Sequence, residues 1–219
     1  VYFKIPNYQI RRYKRLTGPL SVQKATLSNH LLNSLATAIK VSPYTTATTT
    51  LLIGTRNGRL LKVTNADNGT TVPGAAIVWA NISGPGFVGS ISDVEYGNSE
   101  NEIFVTMHNY NVVSVWYTAD GGVTWQNKEG NFPDIPVKAV LRNPLNVDEV
   151  IIGTELGVWY TNTFNNASPT WIQSYNGMSN VKVTDLDLRN DNVVFAATYG
   201  RGIFSGAFTA PSLSTINFE

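Results

Sequence analysis

The sequence predicts an all-β fold, a β-propeller whose four-stranded blades each take about 46 residues. Trp79, Trp125 and Trp171 stand 46 residues apart, and the apolar segments that follow them keep the same spacing. The chain also contains 18 Gly, ten Pro and ten Tyr among many Val, Ile and Thr residues, a composition typical of strands and turns. Because a blade cannot cover both of its faces alone, the repeat predicts sheets that stack on one another.

Four short strands are predicted in each repeat. One copy has strands near 91–96, 102–107, 112–118 and 123–128, and the next has strands near 137–142, 148–154, 157–162 and 169–173. Alternation of apolar and polar residues in 183–188 is typical of a half-buried strand. Asp93 and Asp185 recur in the first strand, where the intervening copy has Ala139, and we interpret them as structural strand-end residues.

The repeat divides the chain into four predicted blades, at 37–82, 91–130, 137–177 and 181–206. The last blade lacks a Trp-bearing fourth strand. Residues 1–18 are predicted to be the outer strands of a preceding blade, because Leu-Thr-Gly at 16–18 resembles Ile-Ser-Gly at 82–84. Residues 19–36 are predicted to be an insertion or linker, with helical character only over 22–35. Since rings need four to eight whole blades, the chain is expected to be the C-terminal part of a larger propeller.

Composition excludes several classes of site. The chain has no Cys, so disulfides, thiolate zinc sites and Cys nucleophiles are ruled out. Its two His residues, His30 and His108, lack metal-ligand spacing, and no phosphate-loop or dinucleotide motif occurs. No run approaches the roughly 18 apolar residues of a transmembrane helix. We therefore predict no metal, no cofactor and no transmembrane segment.

Charge is distributed unevenly along the chain. The first 62 residues hold ten of the 16 Lys and Arg residues and none of the 15 Asp and Glu residues. Such a block could bind an anionic partner, but the two parts could equally neutralise each other within one fold. Because the net charge is only +1, we favour neutralisation and predict no nucleic-acid partner.

The segment 118–125 carries a specific motif, Ser/Thr-x-Asp-x-Gly-x-Thr-Trp. Its members are Thr118, Asp120, Gly122, Thr124 and Trp125. The Asp and Thr side chains can accept hydrogen bonds from backbone N–H groups of the same turn, and Gly permits a positive φ. The Trp ring is then predicted to pack between blades, as are Trp79 and Trp171.

The chain resembles the Asp-box, or bacterial neuraminidase repeat, propellers, which include sialidases, sortilin-like domains and xyloglucan-cleaving hydrolases. The resemblance covers residues 37–206, and it is most specific at 118–125. The copy at 161–171 departs from the motif, with Asn165 or Asn166 near the Asp position, and the copy at 64–79 keeps little beyond Trp79. The resemblance implies that the motif is a folding element on the face opposite the ligand site.

A second resemblance concerns the last blade. The segment 196–204 is similar to the closing blade of propellers secreted by Bacteroidetes-type bacteria, in which a linker and a sorting domain for the type IX secretion system follow. Residues 207–219 are accordingly predicted to be a linker towards such a domain. This resemblance implies a secreted protein, or one on the outer-membrane surface of a Gram-negative bacterium, with secretion or surface-assembly proteins as partners.

A candidate ligand site lies in the turns between second and third strands. If the strands run from the centre outwards, these turns share one face with the links between blades. They contribute Arg56, His108, Tyr110, Glu155, Tyr199 and Arg201. A ligand pocket needs such convergent polar and aromatic groups, although each of these residues could also be an ordinary solvated turn residue.

Three functions remain open at this stage. The favoured one is a non-catalytic module that binds protein or glycan. The second is a glycoside hydrolase in which Glu155 works with Tyr199 or Tyr110, and Arg56 with Arg201, while further catalytic residues lie outside this segment. The third is a structural scaffold in a larger surface complex. No catalytic residue is assigned, and Ser-His-Asp chemistry has no support in the sequence.

Overall fold

The computed structural model describes residues 2–5, 8–14, 23–67, 76–174, 177–178 and 180–211. These residues contain 18 strands and no helix, so the all-β prediction is confirmed. The strands form five antiparallel sheets, in each of which strands that are consecutive in sequence pair with each other. We number the sheets I to V in chain order.

Sheets I and V each have three strands among the described residues, and sheets II, III and IV have four. Sheet I contains β1 (Tyr2–Ile5), β2 (Gln9–Lys14) and β3 (Gln23–Leu27). Sheet II contains β4 (Ala36–Val41), β5 (Leu51–Thr55), β6 (Leu60–Thr64) and β7 (Val78–Asn81). Sheet III contains β8 (Ile91–Tyr96), β9 (Ile103–Met107), β10 (Val115–Thr118) and β11 (Gln126–Asn127). Sheet IV contains β12 (Val137–Arg142), β13 (Val150–Thr154), β14 (Gly157–Thr161) and β15 (Ile172–Ser174). Sheet V contains β16 (Val183–Leu188), β17 (Val193–Thr198) and β18 (Ile203–Ala207).

The sheets stack in chain order. First strands contact one another in succession, β4 with β8, β8 with β12 and β12 with β16. A separate apolar cluster fills each space between neighbouring sheets. The middle strands β5, β9 and β13 are buried at all five positions, because each is covered on both faces and paired at both edges.

Every first strand of sheets II to V has a β-bulge at the same place. The pairing register shifts at Thr37, Ser92, Lys138 and Thr184. A bulge bends the strand and turns the neighbouring groups away from the regular ladder. Asp93 and Asp185 follow this bulge inside their strands, so they are not strand-end residues as the sequence analysis assumed.

One strand lies within a segment that the sequence analysis treated as linker, and another extends one residue into such a segment. Strand β3 lies within 19–36, where helical character was expected, because the edge of β2 supplies a pairing partner and Leu27 is buried against Ile10. Strand β18 extends to Ala207, and Phe208 is buried, so the repeat continues beyond 206. The Leu-Thr-Gly segment at 16–18 lies outside the described residues.

Tryptophan side chains occupy corresponding places in successive sheets. The Trp125 Nε1 donates to the Ile82 carbonyl at 2.9 Å, and the Trp171 Nε1 donates to the Lys128 carbonyl at 2.9 Å. Each Trp precedes the fourth strand of its own sheet and bonds to the end of the fourth strand of the preceding sheet. Trp79 lies within β7 and packs against the cluster between sheets I and II. The 46-residue spacing between Trp125 and Trp171 therefore reflects one contact that is repeated between sheets.

Candidate functional site

Four of the six predicted ligand residues occupy equivalent positions. Arg56, His108, Glu155 and Tyr199 each directly follow the second strand of their sheet. Their backbone N–H groups donate to the residue that precedes the first strand of the same sheet, at 2.9, 2.8, 3.2 and 2.9 Å; the acceptors are Leu35, Ser90, Pro136 and Lys182. These bonds tie each hairpin turn to the adjoining link, and we call this end of the sheets the hairpin end.

Side chains from sheet III, from sheet IV and from the link into sheet V meet at the hairpin end. Glu155 Oε1 lies 3.2 Å from Lys138 Nζ and 3.0 Å from Lys182 Nζ, and Lys138 Nζ also contacts His108 Nε2. Sheet III supplies His108, sheet IV supplies Lys138 and Glu155, and the link into sheet V supplies Lys182. We call these four residues the lysine cluster. Its two ammonium groups share one carboxylate oxygen, so the cluster carries more positive than negative charge.

His108 is held neutral by its surroundings. Burial lowers its pKa from the ordinary value, and the nearby Lys138 and Lys182 charges lower it further against an opposing effect of Glu155. A neutral ring can accept a hydrogen bond from Lys138 at Nε2 and then carries its proton on Nδ1. The buried Nδ1 atom has no hydrogen-bond partner in the structure.

Glu155 and Lys138 of sheet IV each affect the pKa of the other. Burial by itself raises the pKa of Glu155, but hydrogen bonds from Lys182 and Lys138 and their charges outweigh it and lower that pKa. Burial lowers the pKa of Lys138, while its bond to Glu155 acts in the opposite direction. Glu155 is therefore an ionised acceptor, which is unsuited to donate a proton to a leaving group.

The other predicted residues lie in the hairpin turns of sheets II, III and V. Tyr110 and Tyr199 are 59% and 76% exposed, so their rings are available at the hairpin end. Arg56 is exposed on sheet II, whereas Arg201 is exposed in the turn of sheet V. Arg56 follows the second strand of sheet II and Arg201 precedes the third strand of sheet V, so sheets III and IV lie between them in the chain.

Sequence reasoning missed the two lysines. Lys138 stands at the bulge, where the other first strands have the small hydroxyl residues Thr37, Ser92 and Thr184. This departure is visible in the aligned repeats and was the available signal. Lys182 precedes β16 and was not singled out, because its position is defined only by the backbone bond that Tyr199 donates to it.

The turn at 118–125, for which the sequence predicts an Asp box, lies at the opposite end of the sheets, which we call the box end. The Asp120 carboxylate accepts from the Thr124 N–H at 2.9 Å and from the hydroxyls of Thr118 and Thr124 at 2.7 and 2.5 Å. These bonds, first that of the Thr124 hydroxyl, hold the pKa of Asp120 at about 2. Gly122 has φ +94°, and a Cβ there would meet Ile82 at 2.9 Å. The carboxylate is thus engaged within its own turn.

A second copy of this turn uses different residues from those expected. Thr163 stands two positions after the end of β14, as Asp120 stands two positions after the end of β10. Its hydroxyl contacts the Thr161 hydroxyl at 3.1 Å and accepts from the Thr170 N–H at 2.9 Å. Thr163, two or three residues before Asn165 and Asn166, thus makes the bonds that correspond to those of Asp120. Three extra residues before Thr170 place the asparagines further along the turn.

A cavity of about 340 Å³ opens between the first strands towards the box end. Its charged lining residues include Lys40 and Arg142, which form ion pairs with Glu95 and Glu102. Although burial raises the pKa of Glu102, bonds from Tyr117 and Asn98 and the Arg142 charge lower it overall. Because each cation here has its own carboxylate, this cavity lacks the charge excess of the lysine cluster.

The described residues contain neither a metal-binding group nor a membrane-spanning helix. In the ranges that the structure describes, no group of three His, Asp or Glu side chains could hold a metal ion. Within the same ranges, no helix has the length and apolar composition that crossing a bilayer requires. No protein-family model matches the chain, and none of the curated proteins compared with it matches either.

Proposed function

We propose that this chain is a segment of an Asp-box β-propeller that acts as a non-catalytic glycan-binding module. The propeller assignment is supported by the recurring bulge, by the contacts between successive first strands and by the repeated Trp-to-carbonyl bond. Residues 118–125 also make the local hydrogen bonds that the motif predicts. In this arrangement the first strands surround the axis and the hairpin turns form one surface.

The lysine cluster is the observation that carries the binding proposal. Lys138 and Lys182 share a single carboxylate, and the buried His108 Nδ1 lacks a protein partner. A ligand carboxylate or sulfate would compensate the excess positive charge. The exposed rings of Tyr110 and Tyr199 offer apolar faces on which sugar rings can lie. An acidic oligosaccharide combines both features, so it is the ligand class we expect.

Calorimetric titration with acidic and neutral oligosaccharides of equal length tests this proposal. We expect the acidic ones to bind and their affinity to fall as salt rises. Lys138→Thr restores the residue type of the other bulges and should weaken binding at least about tenfold, which corresponds to about 1.4 kcal/mol. Lys40→Ala removes a lysine from the box end and serves as the control. Equal binding by both variants would contradict the assignment.

The same samples distinguish the hydrolase alternative. A retaining or inverting glycosidase needs two carboxyl groups flanking the bond, whereas Glu155 is the one carboxylate of the lysine cluster and is held ionised. We therefore expect no release of reducing ends during prolonged incubation. Release that is lost in Glu155→Gln would replace the binding proposal with a hydrolase.

We further propose that the protein is exported by the type IX secretion system and acts at a Gram-negative cell surface. The support is the similarity of the segment 196–204 to closing blades of such cargo. Pulldown of the secretion machinery's outer-membrane components with the full-length protein is the test. Absence of association, together with absence of a downstream sorting domain, would reject the cargo proposal and leave the glycan-binding proposal intact.

A further inference from the structure

Lys138 lies in surroundings unlike those of an ordinary surface lysine. Only 15% of its side chain is exposed, against 38% for Lys182 and 37% for Lys40. Its Nζ lies 3.2 Å from Glu155 Oε1, the same oxygen that Lys182 Nζ contacts at 3.0 Å. Two ammonium groups therefore lie close together beside one carboxylate oxygen. The reactivity of this amine does not depend on glycan binding, so it goes beyond the proposed function.

Burial and the second ammonium group both favour the free amine of Lys138. Taking a lysine out of water disfavours its charged form, and a like charge nearby disfavours that form further. Burial accordingly lowers the pKa of Lys138, Glu155 acts against this effect, and Lys182 adds to it. A desolvated lysine beside another cation is a common arrangement for a nucleophilic amine that attacks carbonyl groups.

The contacts of Lys138 leave room for a lone pair. Its Nζ contacts His108 Nε2 and the Glu155 carboxylate, which are both acceptors when the His108 ring is neutral. Within the part of the chain that the structure describes, Nζ makes no further hydrogen bond. The free amine has two N–H groups, and these two acceptors can take both of them. The lone pair is then directed away from His108 and Glu155, where a reactant can meet it.

We propose that Lys138 is a nucleophilic lysine that forms a Schiff base with a 2-oxo acid. The Lys138 nitrogen forms a bond to the oxo carbon, and the carbonyl oxygen leaves as water with the two hydrogens of the amine. No atom is oxidised or reduced in this condensation, so it needs no further reactant.

The charges of the lysine cluster favour an oxo acid over a neutral carbonyl compound. Lys138 and Lys182 share the single carboxylate of Glu155, so a second carboxylate compensates the remaining positive charge. In a 2-oxo acid the carboxylate is attached directly to the reacting carbon. The Lys182 ammonium can therefore pair with that carboxylate while the neighbouring Lys138 amine reacts.

Reductive trapping with glyoxylate, the simplest 2-oxo acid, tests this proposal on the whole 219-residue chain. Cyanoborohydride reduces an imine to a stable amine, so peptide mass spectrometry then quantifies the label on each lysine. At neutral pH we expect Lys138 to be labelled at least about tenfold faster than Lys40, because a lower pKa leaves more free amine. Lys40 is the internal control, since it is more exposed and pairs with Glu95. Equal or slower labelling of Lys138 would overturn the proposal.

Two matched variants test the neighbouring ammonium group. Lys182→Gln should slow the labelling of Lys138 at least about threefold and move its pH dependence to higher pH, because a like charge is removed while Glu155 remains. Lys40→Gln, the same change at the box end, should alter neither quantity. Labelling of Lys138 that is unchanged in Lys182→Gln would contradict the proposal. If Lys182→Gln does not fold, the comparison of Lys138 with Lys40 in the unmodified chain still decides the matter.

A second carbonyl compound tests the ligand class. Acetaldehyde lacks a carboxylate, so its preference for Lys138 over Lys40 should be weaker than that of glyoxylate. Equal preference would reject an oxo acid as the reactant. Calorimetric titration of the same protein with acidic oligosaccharides separates this inference from the proposed function. Slow labelling in a chain that binds oligosaccharide rejects the Schiff base alone, whereas fast labelling in a chain that binds none rejects glycan binding alone.

Discussion

At the scale of single residues, Asp93 joins two sheets through a carboxylate. Its Oδ2 accepts the Val140 N–H at 3.0 Å, and its Oδ1 accepts the Val94 N–H at 2.8 Å. Because Val140 belongs to β12, this bond links sheet III to sheet IV. Burial nevertheless dominates and raises the pKa of Asp93 to about 6. The carboxyl group in the folded state is thus mostly neutral below about pH 6 and mostly ionised above it.

This pKa gives a signed prediction for stability against pH. In the unfolded chain an Asp side chain has a pKa of about 3.9. Between about pH 4 and pH 6 the folded state therefore binds more protons, and the contribution of Asp93 to stability is lost as pH rises through about 6. The free energy of unfolding of Asp93→Asn, relative to that of the unmodified chain, should therefore increase when the pH is raised from 4.5 to 7.

Urea unfolding followed by circular dichroism at the two pH values measures this effect. Asp185→Asn is the matched control, because Asp185 occupies the same position in β16 but is exposed and bonds to its own neighbour Leu186. The same pH-dependent gain in both variants would show that the effect does not come from the buried bridge.

At the scale of strands and sheets, the Trp residues account for the contacts between neighbours. Trp171 packs edge-on against Phe132 and Phe164, with ring centroids 6.1 and 6.5 Å away. Its N–H is satisfied by Lys128 at the same time. An apolar ring with a bonded polar tip suits this position, because the buried indole N–H would otherwise be unsatisfied.

Trp171→Ala should lower the free energy of unfolding by about 3–5 kcal/mol, the usual cost of removing a buried large aromatic side chain. Trp79→Ala should cost less, because Trp79 is only half-buried. Chemical denaturation followed by circular dichroism compares them without depending on Trp fluorescence. Equal losses would mean that burial between sheets is not what the spaced tryptophans contribute.

The repeated elements explain which structural features the sequence could predict. Because Trp contacts with the preceding sheet recur, they keep a constant spacing in the sequence, and this spacing marks the repeat. The strands at 91–96 and 137–142 were therefore predicted with the bounds that are observed. Strand β3 escaped prediction because its pairing partner, not its own pattern, stabilises it. The role of Thr163 in its turn was missed because the three extra residues before Thr170 obscure the alignment of the repeats.

The candidate site was predictable to a lesser degree. His108 and Glu155 followed from their places in the hairpin turns, and the structure brings them to one cluster. Lys138 lies in a strand and Lys182 in a link, so turn position alone could not identify them. Their proximity depends on the bulge and on the way neighbouring sheets stack, which are properties of tertiary structure.

At the scale of the whole molecule, one lysine of the basic N-terminal part pairs with an acidic residue further along the chain. Lys40 of sheet II pairs with Glu95 of sheet III, which supports neutralisation over a separate anion-binding surface. Arg142 of sheet IV pairs with Glu102 of sheet III in the same way. Ion pairs thus accompany the apolar clusters at successive sheet boundaries.

Stacking of sheets also predicts a gradient of local stability. Strands β13 and β17 are both second strands with two paired edges, but β13 is fully buried and β17 is not. Stability in such repeats comes largely from contacts with neighbours. Native-state hydrogen exchange should therefore show amides of β17 opening at lower free energy than those of β13. Equal opening energies would indicate a single cooperative unit instead.

The residues that join the sheets differ from those that follow the second strands. Contacts between sheets depend largely on strand residues and on the tryptophans, and each hairpin turn is also tied by a backbone bond to the link that precedes the first strand of its own sheet. Arg56, His108, Glu155 and Tyr199 differ completely in chemistry although their backbone geometry is the same. Because these backbone bonds do not depend on the side chain, under the proposed function ligand specificity could change by substitution at these four positions while the bonds are preserved.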